Sequence, residues 1–396
     1  MKSIILILMS LVFGITHSQN KEIQGVVKDF DTQLPIEEVS LSTSSNIFSM
    51  SNTEGAFLMI VPKHTTKIVF SHMFYQSYIL ELDNKTNKFE ILLKPESYTL
   101  DEMVINPISA KEILSKATKN SIEKLEKSIL LKTYFREFIN SSYGIETANT
   151  AETGISSFSD GLLDYHIKKN GSSDLYINQS RALNADTLRS KESSFIDVRK
   201  ITNLAYEMEI LNYILKSNNY DFLKEYKTDS NDRGIFFISI KPKKDVQEVL
   251  YEGIVSIDDE TNKILEVDLK TSEAHFNYAK NIKLFGMEVK RGRNAVKLSF
   301  MINKDIYYPY YIRAYSQNFL GLTSKGSTTF INMESSSDLV VTEFTTNVSK
   351  INNREKFRSR TLFNAGKNYT EDYWKTHNTL LLTENEQKIL EAINQN

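Results

Sequence analysis

Residues 296–303 read Val-Lys-Leu-Ser-Phe-Met-Ile-Asn. Val296, Leu298, Phe300 and Ile302 therefore alternate with Lys297, Ser299, Met301 and Asn303. Successive side chains of a strand face opposite sides of a sheet, whereas a helix would scatter these four apolar residues around its axis. The run demands a sheet with one apolar and one polar face. The same period returns at Phe236, Ile238 and Ile240, and again at Leu265, Val267 and Leu269. Strands buried on one face only are typical of antiparallel sheets. Residues 251–257 and 264–270 flank the sequence Asp-Asp-Glu-Thr-Asn-Lys, which predicts a hairpin loop.

The rest of the chain divides around this sheet. Residues 21–95 hold short alternating runs (Ile23, Gly25, Val27; Val39, Leu41; Ile68, Val69, Phe70), separated by turn-forming Asp, Asn, Ser and Gly. That spacing predicts a small β-sandwich. After Asn106 and Pro107, apolar residues at 113, 114, 117, 122 and 125 predict an amphipathic linker helix. A second helix is expected near 199–216. In the tail, Thr383 and Glu386 form a capping box before Ile389, Leu390 and Ile393, so a short helix begins there. The expected fold is mainly β with some α. Its parts are residues 1–18, a sandwich over 19–95, a linker strand and helix over 96–130, a larger antiparallel domain over 131–350, and a tail over 351–396.

Two resemblances follow from these residues. Ile23-Gln-Gly-Val-Val-Lys-Asp29, Leu34-Pro-Ile36, Val39-Ser-Leu41, Thr53-Glu-Gly-Ala-Phe57 and Ile60-Val-Pro62 resemble the carboxypeptidase-regulatory-like domain. The resemblance implies a transthyretin-like sandwich of seven strands, a module common in exported envelope proteins of certain diderm bacteria. Leu100-Asp-Glu-Met-Val-Ile105 resembles the strand that ends such domains. Phe74-Tyr75 departs from the family's Gly-Tyr, which implies a different loop. The strand and hairpin order across residues 253–267 and beyond is similar to periplasmic lipoprotein-carrier half barrels, in which a curved sheet wraps helices around an apolar cavity. That likeness implies an apolar ligand face made by Leu265, Val267, Leu269, Leu298, Phe300 and Ile302.

Catalytic motifs are missing. The chain has no cysteine, which removes disulfides, thiolate metal sites and cysteine nucleophiles. No histidine is followed by glutamate at metallopeptidase spacing, and neither a G-x-S-x-G elbow nor a P-loop is present. Asp229-Ser-Asn-Asp-Arg-Gly234 opens like a calcium loop, but its twelfth position is Ile240, so a polar turn is expected. Asp258-Asp-Glu260 is expected to be a solvated turn, and Tyr307, Tyr308, Tyr310 and Tyr311 are expected to pack on the sheet, with Pro309 marking an edge or bulge. Lys plus Arg number 48 against 50 Asp plus Glu, so no nucleic-acid surface is expected. No metal or cofactor is expected.

These readings suggest a non-enzymatic cell-envelope protein that docks a partner. The alternatives are a periplasmic carrier of lipid or another apolar ligand, and an envelope hydrolase. The address rests on the first residues. Lys2, an apolar run over residues 4–13, and small residues at Thr16 and Ser18 read as a signal peptide. The apolar run falls short of the roughly 20 residues of a membrane span. Periplasmic or outer-membrane-associated residence is expected, with no transmembrane helix after cleavage. N-terminal sequencing of the exported protein should begin at Gln19, after cleavage at Ser18; retention of Met1 would refute the signal peptide.

Overall fold

The computed structural model describes residues 20–83, 85–97, 99–100, 108–144, 155–184, 196–284, 287–303, 305–324, 327–348, 355–365 and 369–395. Ser18 and Gln19, residues 101–107, residues 186–188 and Arg354 lie outside this set.

The first strands are β1 (Asn20–Asp29), β2 (Ser40–Ser42), β3 (Phe48–Met50), β4 (Ala56–Pro62), β5 (Lys67–His72), β6 (Tyr75–Glu81) and β7 (Lys88–Leu93). They form two sheets, β4-β1-β7 and β3-β2-β5-β6, closed over a core of Ile23, Val27, Leu41, Phe57 and Phe70. This is the seven-stranded sandwich expected. Two glycines of the motif have visible reasons. A Cβ on Gly25 would lie 1.9 Å from the Phe89 carbonyl oxygen across the β1–β7 pair. Gly55 turns with φ +69°, which side chains rarely tolerate. At the departure from the family pattern, the turn at Met73 and Phe74 needs no positive φ. There Phe74 stacks on Phe237 of the large sheet, with ring centroids 6.3 Å apart.

The large sheet contains β8 (Thr99–Leu100), β9 (Ile129–Gly144), β10 (Ile155–Ile167), β11 (Ser173–Asn184), β12 (Tyr220–Thr228), β13 (Gly234–Pro242), β14 (Tyr251–Asp258), β15 (Lys263–Thr271), β16 (Asn281–Leu284), β17 (Met287–Asn303), β18 (Ile306–Ser324) and β19 (Ser327–Thr345). Eleven of these strands follow the order β11-β10-β9-β19-β18-β17-β15-β14-β13-β12-β8, and β16 branches from β17. The sheet is antiparallel throughout and does not close. Thr99 and Leu100 pair with β12, so this segment joins the large sheet and not the sandwich.

One face, the inner face, is apolar and carries helices. Helix α1 (Ala110–Lys124) starts at Ser109, whose hydroxyl accepts from the Glu112 amide. It buries Ile113, Leu114 and Ala117 in one core with Val255, Val267, Leu269 and Leu298. The second expected helix is two helices, α2 (Asn203–Glu207) and α3 (Glu209–Lys216), broken at Met208 with φ +45°. Short α4 (Glu273–Phe276) follows β15. Each buried apolar side chain contributes about 1.5–3 kcal/mol, and this core is the main reserve of a chain without disulfides.

The other face, the outer face, is charged. One row of directly paired positions crosses the sheet as Arg181, Asp160, Arg136, Asp338, Arg313, Lys297 and Asp268. Arg181 forks onto Asp160 at 2.8 and 2.9 Å. Asp338 accepts from Arg136 at 2.8 Å, from Arg313 at 2.9 Å and from the Tyr311 hydroxyl at 2.7 Å. The sign alternates along the row except where Arg313 meets Lys297. There the sandwich supplies Glu38, held at φ +60°, whose carboxylate pairs with Arg313 at 3.0 Å and also with Lys297. Lys297 also lies 3.7 Å from Glu266, whose carboxyl burial pushes up to about 7 against the pull of that lysine.

The tail completes this cover. Helices α5 (Glu371–Trp374) and α6 (Glu384–Gln395) lie in it. Trp374 and Leu380 pack with Met50, Tyr134, Tyr311 and Val340. The Asn378 side chain accepts from the Ile60 amide at 2.6 Å and donates to its carbonyl at 3.2 Å, pairing with β4 as a strand residue would. The capping box forms as expected: the Thr383 hydroxyl accepts from the Glu386 amide at 3.1 Å, and the Glu386 carboxylate accepts from the Thr383 amide at 2.8 Å. Glu386 also pairs with Arg136 at 3.3 Å.

Asp338 is the centre of the row. Burial alone would raise its carboxyl, but Arg136, Arg313 and Tyr311 outweigh that and hold it at about 2. A carboxyl depressed in the folded state stabilises above its unfolded pKa, and that stability is lost as pH falls through the folded value. Asp338→Asn should cost about 3 kcal/mol at pH 7, because it removes the carboxylate shared by the buried Arg136 and the half-buried Arg313. It should also flatten the fall in stability between about pH 4 and 2. Urea denaturation across pH checks both; an unchanged acid limb in the variant would contradict the assignment.

Candidate ligand groove

The sandwich and the tail cover the middle of the outer face, leaving a cleft of about 290 Å³ beside Pro62, Lys132, Glu343 and His377, while the inner side holds a larger one. A groove of about 730 Å³ lies between the helical segment and β14, β17 and β18. Pockets of roughly 300–1,000 Å³ are the usual size for small-molecule sites. Its helix wall presents Ile201, Leu204, Ile210 and Tyr213. Its strand wall presents Tyr251, Arg291, Val296, Ala314 and Ser316. Val296 and Ala314 are direct partners across β17 and β18, so the floor is one apolar step in the sheet.

Local sequence explains the shape. Helix α3 buries Leu211 and Ile214 in the core while Ile210 and Tyr213 face the groove. It is apolar on two sides, more than a helix covering a core requires. The break at Met208 sets α3 apart from α2 and leaves Glu207 and Glu209 on the helix wall. Burial, and then the neighbouring Glu209, raise the Glu207 carboxyl. Asp197 is already committed: Arg199 forks onto it at 2.8 and 2.6 Å. On the strand wall, Arg291 lies over the Tyr251 ring at 5.9 Å and donates to its hydroxyl at 2.5 Å. The floor is apolar, whereas the helix wall carries five polar or charged residues, Asp197, Lys200, Asn203, Glu207 and Glu209. Among the described residues that line the groove, no nucleophile and base share a hydrogen bond.

The six residues expected to make an apolar ligand face are not among those that line this groove. Val267, Leu269, Leu298 and Phe300 are core residues in one cluster with α1, and Ile302 is half-buried against the same core. Leu265 is half-buried and outside that cluster. The β14–β15 register shifts between Ser256 and Ile257, and Ile264 takes the core position. The remaining features are structural. Asp258 is buried, pairs with Arg233 at 2.5 Å and accepts from the Thr261 amide at 2.8 Å. Burial would raise its carboxyl, but these bonds hold it below its ordinary value, so it is not the solvated turn expected. Asp229 closes a polar turn, accepting from the amides of Asn231 and Arg233 at 2.9 Å each. A β-bulge lies at Ser299 and Phe300 opposite the tyrosine run, beside Pro309, and Tyr307, Tyr308 and Tyr311 are all buried. Lys356 of the tail pairs with Asp174 at 2.7 Å.

No family model and no curated protein matches this chain. Among solved structures, lipovitellin, studied for its lipid–protein interactions, matches at 10% identity with a TM-score of 0.24; the likeness covers 66% of this chain but only 29% of lipovitellin. A DUF1329 family protein from Desulfovibrio piger matches at 11% identity and TM-score 0.20, over 61% of this chain and 92% of that one. A protein of unknown function from Bacteroides fragilis, described as membrane-associated, matches at 9% identity and TM-score 0.16, over 82% of this chain and 98% of that one. Likenesses of this depth assign no ligand and no activity. Among the described residues no helix is long and apolar enough to cross a membrane.

Proposed function

We propose that this chain is a non-enzymatic binding protein of the bacterial cell envelope, which holds an apolar ligand, or an apolar segment of an envelope partner, in the groove of its large sheet. The groove carries the reading. It is an apolar floor left open on a sheet whose opposite face is covered over its central strands by two other parts of the chain. The sandwich, which we take as a carboxypeptidase-regulatory-like module on the strength of Gly25, Gly55 and their turns, serves as the brace that seals it. The expected residence in the envelope rests on the signal sequence.

The test uses an apolar dye. N-phenyl-1-naphthylamine fluorescence should rise saturably on adding the protein. Ser316→Trp places a bulky ring at a half-buried position on the groove wall. It should weaken dye binding at least tenfold while leaving the far-UV circular dichroism intact. Absence of saturable binding, or binding indifferent to Ser316→Trp, would refute the groove as the ligand site.

A further inference from the structure

The strand arginines of the large sheet are nearly all neutralised. Arg136 and Arg313 share Asp338, and Arg181 holds Asp160. Arg293 is forked by Glu273 with two bonds of 2.9 Å. Arg291, two residues earlier on the same strand, differs. Among the described residues it has no carboxylate within ion-pair distance. Its one hydrogen bond goes to a neutral phenol, the Tyr251 hydroxyl at 2.5 Å, and its guanidinium lies over that ring. Tyr251 is thus a platform that orients the arginine and leaves its remaining N–H donors uncommitted. Arg291 and Tyr251 both line the groove, on the wall that also carries Val296 and Ala314.

An arginine fork matches an oxyanion with paired acceptor oxygens, and its attraction strengthens beside apolar surface. The acidic residues of the groove, Asp197, Glu207 and Glu209, are on the helix wall together with Lys200, opposite the strand that bears Arg291, and Asp197 is already taken by Arg199. We infer that the ligand is an anionic amphiphile, with its carboxylate or phosphate head on Arg291 and its hydrocarbon chain along Val296 and Ala314. The inference rests on the groove reading above and adds the chemistry of the head group.

Four probes with one chain length separate the possibilities: dodecanoate, dodecyl phosphate, dodecanol and dodecylamine, each competing with N-phenyl-1-naphthylamine below its micellar concentration. The two anions should displace the dye at concentrations at least tenfold lower than dodecanol, and whichever of them competes better identifies the head group. Arg291→Gln should bring both anions to the level of dodecanol and leave dodecanol itself unchanged. Arg291→Lys, which keeps the charge and loses the fork, should fall between. Anions no better than the alcohol, equal weakening of every probe by Arg291→Gln, or preferential binding of the amine would overturn the inference while the groove reading stands. Failure of every probe, the dye included, would overturn both.

Discussion

Two cations, Arg313 and Lys297, sit side by side on neighbouring strands of the large sheet, and one carboxylate from another part of the chain lies between them. Like charges directly opposite across a strand pair destabilise it. The conflict is resolved by Glu38, which reaches out of the sandwich from a backbone conformation that few side chains adopt. Much of the architecture follows from this junction. The ionic row continues through Asp338 to Arg136, and Arg136 passes the connection to Glu386 at the capped start of α6. Sandwich, sheet and tail are therefore tied through one contiguous set of charges. Removing Asp338 takes one carboxylate from both Arg136 and Arg313, so the set is costly to break at its centre even if its net contribution to stability is modest.

The row also decides which side of the sheet can work. An open sheet exposes two faces, and a chain that binds something apolar needs one face sealed and the other partly free. Here the middle of the polar face is covered, by Met50 and Glu38 from the sandwich and by Trp374 and Leu380 from the tail, while Ile254 and Asp268 toward the β12 side stay exposed. The apolar face is covered by α1 over β12, β14 and β15, while the interrupted α2–α3 segment leaves the groove beside Val296. Val267, Leu269 and Leu298 share one core with α1, so the most regular apolar stripe in the sequence is core and the groove lies beyond it at Val296 and Ala314.

That displacement marks the boundary of what residues alone can tell. Period-two alternation is a local property, so the strands, their sidedness and the sandwich are all legible in the sequence. The capping box at Thr383 is legible for the same reason. Leu265 falls on the wrong side of the alternation because a bulge inverts sidedness beside it, and a bulge depends on the partner strand. The break at Met208 has no proline or glycine to announce it. The ionic row is beyond the reach of local pattern. Arg136 and Asp338 are 202 residues apart, and nothing in either segment names the other. A usable hint does exist in α3, whose apolar residues at 210, 211, 213, 214 and 215 exceed what one buried face needs.

The outer face around Ser299 is sealed, whereas the inner groove is open. Because the chain contains no cysteine, single cysteines report this cleanly. Ser299 is 3% exposed on the sealed face beside Glu266, and Ser316 lies on the groove wall. Maleimide labelling of folded Ser316→Cys should be fast and slowed by N-phenyl-1-naphthylamine. Labelling of Ser299→Cys should proceed only at the rate of global unfolding. Equal labelling rates in two folded variants would show that the sandwich lifts from the sheet, and would contradict the account.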